Sequence, residues 1–330
     1  LVALISLHEK HVMGAAEDND FPYWHRIMPS YQKMFQNLIN DNLTMRKDPG
    51  EYEAILERKF PRDYIKSDGL SNHFTEDVRM YCKFGQYPSP MEVWRNKQNK
   101  IRRKAKKIKG MKRISALREA INSLTRECNT FNPAFGLYLM RELAGKMKKD
   151  NQSVRIMDPS AGWGDRCIAA CAFGAACYHG YDPNTLLQNG YNQIIDNFSP
   201  TQDYWVKAIP FEDALIQKES YDIVLTSPPF FDLEKYPGQG GKTAQQLSTY
   251  NKWLEFFYKS YLENAWKGVR LGGYFVLYIS DIRNAPLATD SELIIKSFGN
   301  ATDPIMYGLT IIWGRTSKVR PAYVWQKKSI

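Results

Sequence analysis

The sequence predicts an α/β fold: a mostly parallel seven-stranded sheet with helices on both faces, preceded by a mainly helical, basic region. Three observations carry this expectation. From about residue 129, short apolar runs alternate with stretches of helical period. A glycine-containing turn follows the first of those runs. Residues 1–92 instead read as polar, aromatic segments broken at "DPG" (48–50), "SDG" (67–69) and "YPSP" (87–90).

The chain's 330 residues can bury a large core. They divide by texture into a region of residues 1–128 and a domain of residues 129–330. Hydrophobic residues make up 43% and aromatics 13%, a globular composition. The longest apolar runs fall short of the ~18–20 residues a membrane span needs, so no membrane association is expected. The opening "LVALISLHEK" lacks the flank and cleavage site of a signal peptide and reads as part of a helix. Five cysteines without a CxxC pair argue against a disulfide framework and for an intracellular, reducing compartment, cytoplasm or nucleus. Cys167, Cys171 and Cys177 read as small buried side chains, since no His or carboxylate completes a metal-ligand set, and no metal is expected.

Charge is unevenly placed. The net charge is +10, and residues 95–113, "RNKQNKIRRKAKKIKGMKR", hold eleven Lys and Arg and no acid. Such a block is either a solvated helix face or an electrostatic footprint for phosphates. Its density in both Arg and Lys favours a nucleic-acid partner, with Arg102, Arg103, Lys104, Lys106 and Lys107 on the phosphates. The oligomeric state is left open.

In chain order, "SYQKMFQNLINDNL" (30–43) and "GEYEAILERKF" (50–60) read as short helices, and "ISALREAINSLTREC" (114–128) as a third. "VRIMDPSAGWGDRCIAACAFG" reads as a strand, a turn and a helix. "ACYHGYD" is a second strand, and "PNTLLQNGYNQIID" a helix with Pro183 near its start. "YWVKAIP" and "YDIVLTSPP" are two further strands. "TYNKWLEFFYKSYLENAWKGV" is a long amphipathic helix leading to a fifth strand, "LGGYFVLYISD". "MYGLTIIWGR" and "RPAYVWQKK" close the chain as an antiparallel pair.

Ligands of open α/β sheets sit beyond the carboxyl ends of the strands. There, "DPSAGWGDR" (158–166) offers Gly162 and Gly164 for close backbone approach, and a helix N-terminus for a polar group. Asp182 ends the second strand, where one carboxylate can accept from two ribose hydroxyls. Asp213 follows the third strand, suited to an adenine amino group. Three acids at three consecutive strand ends converge on one crevice.

The fourth strand ends in Thr226-Ser227-Pro228-Pro229-Phe230. Two prolines remove two N–H donors and hold the loop extended. The loop therefore presents acceptors, the Ser227 hydroxyl and the Pro228 carbonyl, beside the aromatic face of Phe230. That set fits a flat ring bearing an exocyclic amine.

Together these residues resemble the class I methyltransferases, Rossmann-like enzymes that move a methyl group from S-adenosylmethionine to exocyclic amines of nucleic-acid bases. Ser227-Pro228-Pro229-Phe230 matches the family's Asp/Asn/Ser-Pro-Pro-aromatic tetrapeptide, and Asp158 to Gly164 its cofactor turn. "FNPAFGLYLMREL" (131–143) looks like a further cofactor element. The resemblance covers residues 129–327. It implies S-adenosylmethionine contacts at Phe131, Asn132, Pro133, Asp158, Pro159, Ser160, Gly162, Gly164 and Asp165. It extends them to Asp182 and Pro183 at the ribose and Asp213 at the adenine. It also implies catalysis at Ser227, Pro228, Pro229 and Phe230. DNA is expected as partner before RNA, with adenine or cytosine as target; the alternatives are an RNA amino-methyltransferase and a catalytically silent, nucleic-acid-binding subunit of the same fold. A flipped base would stack on Phe230 or Phe231. The Gly-rich stretch 231–248 would close over it, with Tyr236 and Lys242 as contacts.

Overall fold

The structure is a computed structural model of the chain. It describes residues 18–41, 44–48, 50–58, 69–231, 233–237, 247, 249–283, 285–311 and 319–329. The opening apolar run and Lys242 lie outside the described residues. Two compact units form, one of Leu1–Pro29 and Asp77–Asn129, the other of Ser30–Glu76 and Thr130–Ile330. Residues 30–76 thus belong with the sheet, on the other side of the division expected from texture.

The main sheet of the larger unit is built from β1 (Thr44–Arg46), β2 (Ala54–Arg58), β3 (Arg155–Asp158), β4 (Cys177–Tyr181), β5 (Tyr204–Lys207), β6 (Tyr221–Thr226), β7 (Val269–Tyr278), β8 (Ile305–Ile311) and β9 (Val319–Gln326). Among the described residues they form one sheet in the order β1-β2-β8-β9-β7-β6-β3-β4-β5. β3 to β7 run parallel, and β9 is antiparallel to both β7 and β8. β4 and β6 are buried along their whole length, as expected of central parallel strands. The chain switches direction across the sheet between β3 and β6, and a crevice opens beyond their carboxyl ends.

The seven expected strands are present, and two more extend the sheet. "GEYEAILERKF" forms β2, paired in parallel with β8, where the sequence predicted a helix. Ala54, Ile55 and Leu56 are all buried, so neighbouring side chains face apolar surroundings on both sides. The partner position Gly308 admits them: a Cβ there would meet Tyr52 Cδ1 at 3.1 Å and Ile55 Cγ1 at 3.3 Å.

The helices are α1 (Tyr31–Ile39), α2 (Asn72–Arg79, shared between the units), α3 (Pro90–Ala105), α4 (Arg113–Asn122), α5 (Pro133–Met147), α6 (Asp165–Phe173), α7 (Gln188–Phe198), α8 (Tyr250–Trp253), α9 (Lys259–Gly268) and α10 (Leu287–Ser297). A π-helical segment, Leu254–Tyr258, joins α8 to α9. α5 starts from an Asn132 cap, whose side chain accepts from the Phe135 N–H at 3.0 Å, with Pro133 in the first turn. α3 starts from a reciprocal Ser89–Glu92 capping box.

The smaller unit packs α3 and α4 around Phe21, Trp94, Ile101 and Ile121. Arg79 pairs with Glu127 at 2.9 Å, and the Tyr23 hydroxyl donates to the same carboxylate at 2.6 Å. Contrary to the expectation from cysteine count, Cys82 and Cys128 form a disulfide. Folding brings them together from positions 46 residues apart, which the count does not reveal.

Candidate functional site

Asp158 ends β3 fully buried, and its carboxylate is surrounded by donors. It accepts from the Ser160 N–H at 3.1 Å, Arg166 Nε at 2.8 Å and the Tyr178 hydroxyl at 2.7 Å. Arg166 also donates to the Ser160 carbonyl and lies 5.3 Å from the centre of the Phe131 ring. Burial alone would lower the Arg166 pKa, and the adjacent Asp158 charge raises it. Asp158 and Phe131 therefore brace the turn from behind. Asn132 and Pro133 start α5, and Asp165 is a buried residue of the first turn of α6. None of these five lines the pocket.

The turn itself needs its glycines. Gly162 and Gly164 have φ of +60° and +88°. A Cβ on Gly164 would lie 2.5 Å from Ile194 Cδ1, so α7 packs directly over it. The Trp163 carbonyl accepts from Thr75 Oγ1 at 3.0 Å, tying α2 to the turn.

Asp182, just after β4, is the polar centre of the crevice. Oδ2 accepts from the Gly162 N–H and Oδ1 from the Asn184 N–H, each at 2.9 Å. Burial pushes its carboxyl pKa up to about 6 against the pull of those two bonds. The Tyr191 side chain also bonds to this carboxylate, and its remaining acceptor capacity is open to a further donor.

The pocket collects residues from four strand ends: Pro159, Ser160, Gly162 and Trp163; Asp182, Pro183, Asn184 and Leu187; Pro210, Phe211 and Glu212; and Ser227 with Pro229. Tyr236, Phe257 and Tyr261 complete the lining. Sequence reasoning missed the last two, which sit on the buried face of an aromatic helix and read as core, and it also missed Trp163, Asn184, Leu187, Pro210 and Phe211. Tyr261 links two loops: its hydroxyl lies 2.8 Å from Ser160 Oγ and 2.7 Å from Thr226 Oγ1.

At the third strand end the expected acid shifts by one position. Glu212 lines the pocket, while Asp213, on the same 3-10 turn, is exposed. Successive residues of such a turn point about a third of a revolution apart. Burial raises the Glu212 pKa.

In the proline loop Ser227 and Pro229 line the pocket and Pro228 is buried behind them. Phe230 is half-buried against the core. Phe231, expected as a stacking face for a base, is instead held edge-on by Tyr250 at 5.7 Å and Trp253 at 6.0 Å. Tyr236 turns inward, donating to Glu234 at 2.5 Å with its ring 5.8 Å from Trp163.

In the smaller unit, Arg102, Arg103, Lys106 and Lys107 are exposed. Lys104 is half-buried and donates to Ser123 Oγ at 3.0 Å. Ile101 is the buried anchor of this half of α3. Arg95 pairs with Asp18 at 2.6 Å. Among the described residues the basic positions from Lys97 to Arg113 have no acidic partner.

Cys177, His179 and Asp203 bring potential ligand atoms within 4.8 Å of one another. Both His179 nitrogens are already engaged, Nδ1 with the Tyr221 hydroxyl and Nε2 with Asp203, at 2.8 Å each. Among the described residues, no helix is long and apolar enough to cross a membrane.

No protein-family model matches the chain, and no curated protein matches it in sequence. Among solved structures it is similar to an S-adenosylmethionine-dependent O-methyltransferase from Thermotoga maritima, with 9% identity over 62% of this chain and 68% of that one, and a TM-score of 0.40. It is similar to a tRNA (m1A58) methyltransferase from Aquifex aeolicus, with 10% identity over 62% and 71% and a TM-score of 0.38. It is also similar to a human methyltransferase 10 domain containing protein, with 16% identity over 60% and 84% and a TM-score of 0.39.

Proposed function

We propose that the chain transfers a methyl group from S-adenosylmethionine to the exocyclic amino group of adenine or cytosine in DNA. One observation supports this above the others: Ser227 and Pro229 of the donor-poor proline loop line the same pocket as Gly162 and Asp182. A site for a nucleoside-bearing donor and a site for an amine are then one continuous space.

The residues present fit the cofactor. Asp182 offers its remaining lone pairs to vicinal hydroxyls, Pro183 and Leu187 offer apolar faces to a base, and Glu212 offers an acceptor to an amino group. When bound, S-adenosylmethionine supplies an electrophilic methyl on a sulfonium centre. Ser227 Oγ, which lines the pocket, would accept an amine hydrogen and so turn the nitrogen lone pair out of the ring plane toward that methyl. With the cofactor bound, the amine held by this loop would face that methyl in line, and the proton it gives up would pass to water. Positioning of this kind supplies the main part of the acceleration, and no strong base is required.

The exposed basic half of α3 supports a polyanionic substrate, since each neutralised phosphate releases counterions. The test is methyl incorporation into nucleic acid by the wild type and by Ser227→Ala. The variant is expected to turn over about 100-fold more slowly while binding S-adenosylhomocysteine as the wild type does. Equal turnover, or abolished cofactor binding, would contradict the assignment of the amine to this loop.

A further inference from the structure

Asn184 is 2% exposed and lines the pocket, yet its side-chain Nδ2 has no hydrogen-bond acceptor. A buried amide left this way is unfavourable unless a ligand completes it. The orientation of the amide is fixed by its other end. Oδ1 accepts from the Leu186 N–H at 3.2 Å, capping the 3-10 turn Thr185–Leu187, so a flipped amide would set two donors face to face. The Asn184 backbone N–H is also committed, to Asp182 Oδ1 at 2.9 Å.

Donors are scarce on this side of the pocket. Pro183 has no N–H, and the Gly162 N–H is spent on Asp182 Oδ2. Asp182 can accept hydroxyl donors, and the Pro183 ring and Leu187 flank Asn184 with apolar surface suited to a flat base. A purine edge presents unprotonated ring nitrogens, acceptors that match Nδ2.

Resting on the cofactor assignment above, we infer that Asn184 Nδ2 donates to a ring nitrogen of the cofactor's adenine, making Asn184 a purine-specificity residue. It couples the recognition of ribose and base, because Asn184 also holds Asp182 through its backbone N–H.

The test is calorimetric titration of the wild type, Asn184→Asp and Asn184→Ser with S-adenosylhomocysteine and its 1-deaza, 3-deaza and 7-deaza analogues. Both variants keep a capping oxygen, and the Ser variant adds no charge. The wild type is expected to bind one of the three analogues about tenfold more weakly than the parent, as the absence of one hydrogen bond implies. The variants should bind the parent about tenfold more weakly and no longer distinguish that analogue. Variants that bind the parent as the wild type does, or keep its discrimination, would overturn the inference. Should both variants unfold, a wild type that binds all four ligands equally overturns it. A wild type that binds none of them overturns the cofactor assignment itself.

Discussion

The Gly162 N–H donates to Asp182 Oδ2 at 2.9 Å, so the glycine turn after β3 and the acid after β4 are one unit. The carboxylate shapes the loop it is poised to share with a ligand. Because Asp182 is buried, its pKa stands near 6, above the ordinary carboxylate value of 3.8.

That elevation gives a pH dependence of definite sign. Folding favours protonated Asp182, so its contribution to stability is complete below about pH 4 and is lost as pH rises through about 6. Binding hydroxyl donors has the opposite sign, because it favours the carboxylate. S-adenosylhomocysteine affinity should rise between pH 5 and 7 by about tenfold, with proton release measurable in buffers of different ionisation enthalpy. Asp182→Asn should bind weakly at every pH, without that rise. A flat affinity profile in the wild type would contradict this role.

The Asp158–Arg166 pair, 2.8 Å apart with both side chains buried, should behave as a structural brace. Arg166→Met alone leaves a buried carboxylate short of a partner and should cost about 3–5 kcal/mol in urea denaturation. Adding Asp158→Asn should restore a substantial part of it. Additive losses in the double variant would show that the pair is not coupled.

The packing of α7 against α2 can be tested at Gly190, where a Cβ would come 2.5 Å from the Phe74 carbonyl oxygen. Gly190→Ala should lower stability by about 1–3 kcal/mol, since the obstacle is backbone. Gly174→Ala, where nothing lies within 4 Å of the added Cβ but φ is +78°, should cost less, about 1–2 kcal/mol. Equal losses would mean that the close approach at Gly190 costs no more than the positive φ at Gly174.

On the smaller unit, replacing Arg102, Arg103, Lys106 and Lys107 by Gln should weaken binding of a short duplex and flatten its salt dependence. The slope of log K against log salt should fall by up to about 0.9 for each phosphate no longer neutralised. Lys104→Gln, a position already bonded to Ser123, should matter less. An unchanged slope in the fourfold variant would remove α3 from the nucleic-acid surface.

These particulars also mark how far the sequence can be read. The parallel strands from β3 onward were legible because each has an apolar core segment, such as Ile223–Leu225 or Phe275–Leu277, between helical stretches. β2 was not, because Ala54–Leu56 is short and flanked by charge, and its partner Gly308 is remote in sequence. At the site, Gly162, Asp182 and Ser227 were legible because each residue type stands at a strand end, where α/β sheets bind ligands. Which of Glu212 and Asp213 faces inward depends on the phase of one 3-10 turn. Tyr261 carries the same signature as any core aromatic, and its two hydroxyl partners emerge only on folding. Asp158 stands where a ligand contact was expected, yet Arg166 and Tyr178 already take it.

The central claim is that an amine of a nucleic-acid base meets a methyl donor at Ser227. The most direct measurement incubates the protein with trideuteromethyl-labelled S-adenosylmethionine and separate pools of duplex DNA, single-stranded DNA and RNA, followed by nucleoside mass spectrometry. The expected result is labelled N6-methyldeoxyadenosine or N4-methyldeoxycytidine from DNA, sharply reduced in Ser227→Ala. Label confined to RNA would move the activity to that polymer, and no labelled nucleoside in any pool would contradict the account.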